Sequence, residues 1–286
     1  MTLSNEQIAE IESACQVSGG YLPAAVVSQI VASGVPLEQL MIDLIPLAKT
    51  FAIPTISNFF VGAIAHGLSG NLYFGANYEF PGQALSFTVH AEQAATAHAI
   101  SFGETGIDML AVSAAPCGYC RQFLYELTTA PTLQIILPDA STRLLTSLLP
   151  DAFGPPDLGV TAALMSPQAH GMTLASPTDD VTKAALQAAN TSYAPYSHSY
   201  AGVALKTSDG SIYTGSVAEN AAFNPGMSPL EAAVVTLVIN GRKKFSDITD
   251  AVLVEATASQ ASQIGATRDV LGAITRVPLR VYQAVK

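Results

Sequence analysis

Two short stretches carry residue types whose chemistry exceeds packing: His90-Ala91-Glu92 and Pro116-Cys117-Gly118-Tyr119-Cys120. Cys-x-x-Cys at a helix start puts two sulfurs on one turn, where free amides and the positive dipole end favour thiolates. His90 begins the preceding helix, so its imidazole can reach the same point. One histidine and two cysteines form a donor set suited to Zn2+. Three protein ligands leave the fourth tetrahedral position for water, as in catalytic rather than structural zinc sites. Zinc lowers the pKa of that water toward about 7. Glu92 lies on the same helical turn as His90 but on another face, so it can take the water's proton without ligating the metal. Taken singly, each half has a plainer reading. Glu92 suits a solvated first helical turn, and Cys-x-x-Cys suits a redox pair. The redox reading leaves His90 and Glu92 without a role. Cys15, the remaining cysteine, reads as a small core residue rather than a fourth ligand.

The flanking sequence supplies the elements that must hold these groups. Ser4 opens a helix, with Gln7 at capping-box spacing. A second helix runs from Pro36 through LEQLMIDLIPLAKTF, with the proline in its first turn. Residues 1–48 thus read as a helical N-terminal segment. NFFVGAIAHG and LYFGAN, joined by GLSGN, read as a β-hairpin. HAEQAATAHAISFG is an alanine-rich helix stopped at Gly103. MLAVSAA (109–115) and LQIILP (133–138) read as strands around a helical CGYCRQFLYEL (117–127). This order predicts an α/β fold, a mixed sheet with helices on its faces. It gives a first domain at 49–150, a proline-rich linker at 151–178 and a second domain at 179–286 that opens with a helix at 179–190.

The chain also repeats itself. SNFFVGAIAHGLSGNLYFGANYE (57–79) aligns with SHSYAGVALKTSDGSIYTGSVAE (197–219), matching Gly62 to Gly202, Gly75 to Gly215 and Glu79 to Glu219. With one deletion, HAEQAA (90–95) meets PLEAAV (229–234), and AVSAA (111–115) meets AVLVE (251–255). This indicates a duplicated domain. In that alignment Pro229 stands where His90 stands, and no cysteine follows Cys120, so the second copy has lost the chemistry.

Composition narrows the function class. The 286 residues are 49% hydrophobic and 12% charged, with a net charge of −10. This excludes a disordered tail protein. An acidic chain without a basic block is a poor partner for nucleic acid. The most apolar stretch, Leu37 to Leu68, is broken by Asp43, Lys49 and His66, so no membrane span is expected. The N-terminus has no basic region of a signal peptide. Three cysteines make no disulfide framework, which suits a reducing cytoplasm.

The stretches NFFVGAI, LYFGANYEF, VHAEQAA, APCGYCRQF and AENAAFNP together resemble bacterial long-form cytidine deaminases, and the similarity runs over nearly the whole chain. H-x-E…P-C-x-x-C is the zinc-deaminase signature. The resemblance implies a three-layer α/β/α domain, duplicated, with the second copy degenerate. It implies hydrolytic deamination of cytidine and 2′-deoxycytidine to uridine and 2′-deoxyuridine plus ammonia, in pyrimidine salvage. The metal is one Zn2+ per chain, held by His90, Cys117 and Cys120, with Glu92 as proton shuttle. Asn77 and Glu79 match the pair that hydrogen-bonds the ribose 3′-hydroxyl, and Phe59 matches an aromatic packed on the pyrimidine. A homodimer is implied, in which the AENAAF loop (218–223) walls the neighbour's pocket. From the residues alone, Phe59 also reads as core, and Asn77 and Glu79 as strand-end turn residues. Arg121 reads equally as a thiolate's hydrogen-bond partner or as a surface arginine. His66, His98, His170 and His198 have no assignable partners, and His98 lies two turns beyond His90. Three rival functions remain: a polynucleotide-editing deaminase, disfavoured by the charge; a nucleotide deaminase, disfavoured by the lack of clustered Arg or Lys; and a non-catalytic zinc-stabilised interaction protein, disfavoured by the open metal position and Glu92.

Overall fold

The structure, a computed structural model, describes residues 3–175, 179–257 and 260–286. Pro177, within the linker expected at 151–178, lies outside the described residues. The chain divides into two compact units, Met1–Tyr78 with Val89–Phe153, and Glu79–Thr88 with Gly154–Lys286.

The first unit opens with α1 (Asn5–Val17), α2 (Ala24–Ala32) and α3 (Leu37–Lys49). The Gln7 amide donates to Ser4 Oγ and the Ser4 amide donates to Gln7 Oε1, so the expected capping box forms. Pro36 caps α3 from just outside rather than sitting within its first turn. Helix α2 has no counterpart in the sequence reading. Its Val26, Val27, Ile30 and Val31 are β-branched and weak helix formers. The Ala24 amide donates instead to the side chain of Asn71, 47 residues away, a cap that no local pattern reveals.

A five-stranded mixed sheet follows, in order β2-β1-β3-β4-β5. Its strands are β1 (Gly62–Gly67), β2 (Leu72–Ala76), β3 (Ile107–Val112), β4 (Gln134–Ile136) and β5 (Thr142–Leu144). Between them run α4 (Ala91–Ser101) and α5 (Gly118–Leu124), and α6 (Leu145–Leu148) follows. Strand β1 is antiparallel to β2 and β3, β3 is parallel to β4, and β4 is antiparallel to β5. The hairpin, α4, β3, α5 and β4 stand where the sequence predicts them.

Two glycines set the layers. Gly75 pairs with Ala63, the neighbour of Gly62, so Gly62 and Gly75 face opposite sides of the sheet. A Cβ at Gly62 would press on the Ile45 carbonyl of α3, and one at Gly75 would collide with the Ala91 carbonyl and Ala95 amide of α4. The backbones approach closely on both faces, giving helix, sheet and helix. Gly75→Ala should therefore lower stability by about 1–3 kcal/mol or more, read as a lower urea midpoint; an unchanged midpoint would contradict the close approach.

The second unit repeats this plan. It contains α7 (Asp180–Asn190), β6 (Ala201–Thr207), β7 (Ile212–Ser216), α8 (Pro229–Val235), β8 (Ile248–Ala256), α9 (Ile264–Ile274) and β9 (Leu279–Ala284), with sheet order β7-β6-β8-β9. A Cβ at Gly202 would strike Ala185 and Ala189 of α7, and one at Gly215 would strike Pro229 and Ala233 of α8. Helices α3 and α7 are thus equivalent, as are α4 and α8. Within 151–178, Leu164, Met165 and Met172 are buried, and Met172 packs with Val181 and Ala185 of α7. Among the described residues no helix is long and apolar enough to cross a membrane.

His98 packs against the β2 edge of the first sheet. It is fully buried on α4, and its Nδ1 lies 3.0 Å from both the amide nitrogen and the carbonyl oxygen of Phe74 on edge strand β2. Burial pushes its pKa down to about 4 from 6.5. As pH falls below about 6.5 the unfolded chain takes up this proton first, so stability present above pH 6.5 is lost progressively toward pH 4, by roughly 3 kcal/mol. Glu231, buried on α8, runs the other way: burial raises its pKa from 4.5 to about 7. The folded state takes up that proton first, so its contribution is complete below pH 4.5 and is lost as pH rises to about 7. Urea unfolding of wild type, His98→Gln and Glu231→Gln across this range should give stability differences that change with pH in opposite directions. Differences constant with pH would contradict both assignments.

Candidate metal and catalytic site

One end of the first sheet gathers the candidate residues. Gly62 pairs with Ala76 and Ala63 with Val112, so the start of β1 lies beside the ends of β2 and β3. Asn77 follows β2, and the turn to Cys117 follows β3. A bridge between Tyr78 and Val89 brings His90 back to the same end. His90 is the N-cap of α4 and Cys117 the N-cap of α5. Both therefore keep extended backbones while their side chains lie over a helix start.

The three donors converge. Cys120 Sγ is 3.2 Å from His90 Nδ1, Cys117 Sγ is 3.7 Å from the same nitrogen, and the sulfurs are 3.6 Å apart. A tetrahedral zinc site, with Zn–S of about 2.3 Å and Zn–N of about 2.0–2.1 Å, has edges of about 3.5–3.8 Å; the 3.6 and 3.7 Å edges match this and the 3.2 Å edge is a few tenths of an ångström shorter. Among the described residues this is the one cluster of three or more His, Cys, Asp or Glu able to hold a metal. The sulfur donors and the spacing fit zinc. Cys120 is buried and Cys117 exposed. The hydrogen bond between the two sulfurs holds the Cys117 pKa down to about 5 and, with burial, pushes that of Cys120 up. Metal binding at such a pair requires both thiols as thiolates and so releases protons.

Glu92 is buried in the first turn of α4 and within hydrogen-bond reach of Cys120. Burial pushes its carboxyl above the usual carboxylate range, the direction needed by a group that accepts and returns a proton near neutrality.

The other expected residues divide. The Val61 amide donates to Asn77 Oδ1 and Asn77 Nδ2 donates to the Phe59 carbonyl, both at 2.9 Å. Asn77 therefore shapes the loop that carries Phe59, whose side chain is 60% exposed and so is not core. Glu79 is buried and falls in the second unit. Neither reading of Arg121 holds. Its Nε donates to the Pro116 carbonyl and Nη1 to the Leu148 carbonyl, each at 2.8 Å. His66 bonds Asp108 at 2.6 Å, His170 lies 2.7 Å from the Ser192 carbonyl, and His198 lies 3.3 Å from the Tyr200 hydroxyl. With His98 against β2, none of the four joins the metal cluster.

The second copy needs one correction. Gly75 meets Ala91 and Ala95, while Gly215 meets Pro229 and Ala233. That register puts Ser228, not Pro229, in the place of His90, and Leu230 in the place of Glu92. Caps and edge contacts agree. The His90 amide donates to Gln93 as the Ser228 amide donates to Glu231. Thr236 Oγ1 donates to the Thr214 carbonyl of β7 where His98 Nδ1 lies 3.0 Å from the Phe74 carbonyl of β2. The second copy has thus lost the glutamate as well as the ligands.

Residues 36–135 and 145–268 each match the family model of the cytidine and deoxycytidylate deaminase zinc-binding region. The chain is 50% identical over 266 residues to the cytidine deaminase of Aeromonas hydrophila subsp. hydrophila, covering 93% of this chain and 89% of that protein. It is 48% identical over 265 residues to the cytidine deaminase of Aeromonas salmonicida, with the same coverage of 93% and 89%. Among solved structures, the cytidine deaminase from Mycobacterium tuberculosis aligns at 33% identity with a TM-score of 0.37, covering 40% of this chain and 95% of that chain.

Proposed function

Because the chain belongs to the cytidine and deoxycytidylate deaminase family, we propose that it hydrolyses cytidine and 2′-deoxycytidine to uridine and 2′-deoxyuridine, releasing ammonia. The observation that carries this reading is the triangle of His90 Nδ1, Cys117 Sγ and Cys120 Sγ with the buried Glu92 carboxyl beside it. These three side chains would hold one zinc ion, which when bound makes water a nucleophile at neutral pH. Glu92 takes a proton from the attacking water and passes it to N3 of the ring. As the water oxygen adds, C4 becomes tetrahedral. Glu92 then moves the second proton to the exocyclic nitrogen, the C4–N4 bond breaks, and ammonia leaves. Its burial keeps bulk water from competing for these protons.

Phe59 stacks on the pyrimidine in this reading, and Asn77 and Glu79 bind the sugar 3′-hydroxyl. The catalytic domain spans 49–150 and the degenerate copy 179–286. The active form is a homodimer in which the 218–223 loop of one chain walls the pocket of the other. Phe59 and Phe60 support it, since adjacent exposed aromatics mark an interaction surface. So does Phe223, 69% exposed on a left-handed backbone. Cysteines without disulfide bonds among the described residues suit a reducing cytoplasm.

A substrate panel tests the class. Cytidine and deoxycytidine should turn over, while CMP and a cytosine oligonucleotide should be at least about tenfold poorer, because a net charge of −10 repels phosphates. Equal rates on the oligonucleotide would favour a polynucleotide-editing enzyme.

A further inference from the structure

Cys117 is an exposed ligand at the start of a helix only seven residues long. Such a helix does little by itself to fix the direction of its N-cap side chain. That direction depends on two peptide planes, 116–117 rotating with φ and 117–118 rotating with ψ. Both planes are tied to one residue. The Arg121 amide donates to the Cys117 carbonyl at 3.1 Å, and Arg121 Nε donates to the Pro116 carbonyl at 2.8 Å. The same guanidinium reaches on through Nη1 to the carbonyl of Leu148, which ends α6. Helix α6 is seated by the buried Leu145, whose amide donates to the Leu133 carbonyl just before β4. Among the described residues no carboxylate pairs with Arg121; its donors go to main-chain carbonyls. A rigid planar fork can hold two carbonyls at once, whereas a lysine ammonium acts as a single point charge on a flexible stem.

We infer that Arg121 is a positioning residue of the metal centre, a fork that locks the Cys117 turn against α6 and so presets the ligand geometry. This rests on the zinc assignment proposed above. Groups that orient metal ligands without touching the metal typically alter affinity by about 10–100-fold, and the fork acts in that way on the metal's release.

The test follows zinc transfer from zinc-loaded full-length protein to a chromophoric chelator, alongside zinc content, kcat and KM per bound zinc, and Tm. Arg121→Gln should release zinc about 10–100-fold faster than wild type. Arg121→Lys keeps the charge but loses the fork, so it should also release zinc faster; if Arg121→Gln fails to fold, this variant decides. Gln122→Ala removes a 2.7 Å bond from the same helix to the Phe153 carbonyl and should release zinc at the wild-type rate. Wild-type release from both Arg121 variants overturns the inference, as does wild-type release from the lysine variant alone, which would leave charge as the cause. Equal acceleration by Gln122→Ala also overturns it, because loosening of the helix would then suffice. Wild type that purifies and reconstitutes without zinc overturns the underlying assignment instead.

Discussion

Glu92→Gln keeps zinc at the wild-type level and loses about 10²–10⁴-fold in deamination rate, the usual span for a positioned acid–base group. The amide nearly matches the carboxylate in shape and can still hydrogen-bond at Cys120, so the ligand triangle should stand. It cannot cycle a proton. Every step assigned to Glu92 is a proton movement, so the loss should fall on kcat, while KM changes little. Its neighbour Gln93 bonds the His90 amide, so the helix start survives the substitution. Zinc analysis beside steady-state kinetics checks this. A metal-loaded variant with substantial turnover would remove Glu92 from the chemistry, and one that has lost its zinc would make the residue structural.

Cys120→Ser should lose both zinc and activity. Cys120 is the buried corner of the triangle, 3.2 Å from His90 and 3.6 Å from Cys117. A serine hydroxyl fills the space but does not ionise at neutral pH and is a poor partner for zinc beside a thiolate. With only His90 and Cys117 left, the metal should fall from about one per chain to a trace after dialysis, and turnover should fall below detection. Zinc binding only to the folded chain adds to its stability, so Tm should drop for the variant. Adding a chelator should then lower the Tm of wild type but leave that of the variant unchanged. Retained stoichiometric zinc would contradict the three-ligand assignment.

The site was readable in the sequence to the extent that its chemistry is local. Cys117 and Cys120 share one turn, and His90 and Glu92 share another, so spacing alone put each pair together. Their meeting across 27 residues required the strand order, which the alternation of hairpin, helix and strand also predicts. The role of Arg121 was not readable, because one of its partners, Leu148, lies 27 residues on and offers only a backbone carbonyl. The register of the second copy was missed for a related reason. Alanine repeats in HAEQAA and PLEAAV align well one residue out of step. Only the collisions that Gly75 and Gly215 avoid determine which helix residues face the sheet. Helix α2 escaped because its cap comes from Asn71 rather than from its own first turn.

The duplication explains how the second unit kept its fold after losing the site. Ser228 and Glu231 cap α8 as well as His90 and Gln93 begin α4. Gly202 and Gly215 preserve the close helix–sheet contacts. Selection for packing is satisfied by these residues alone, with no metal required.

The most direct test adds purified, zinc-replete protein to cytidine, follows the ultraviolet absorbance change, and identifies the product. Conversion to uridine with one ammonia released per turnover, at about one zinc per chain, is the expected result. No uridine from a preparation that carries about one zinc per chain would contradict the assignment of this site to cytidine deamination.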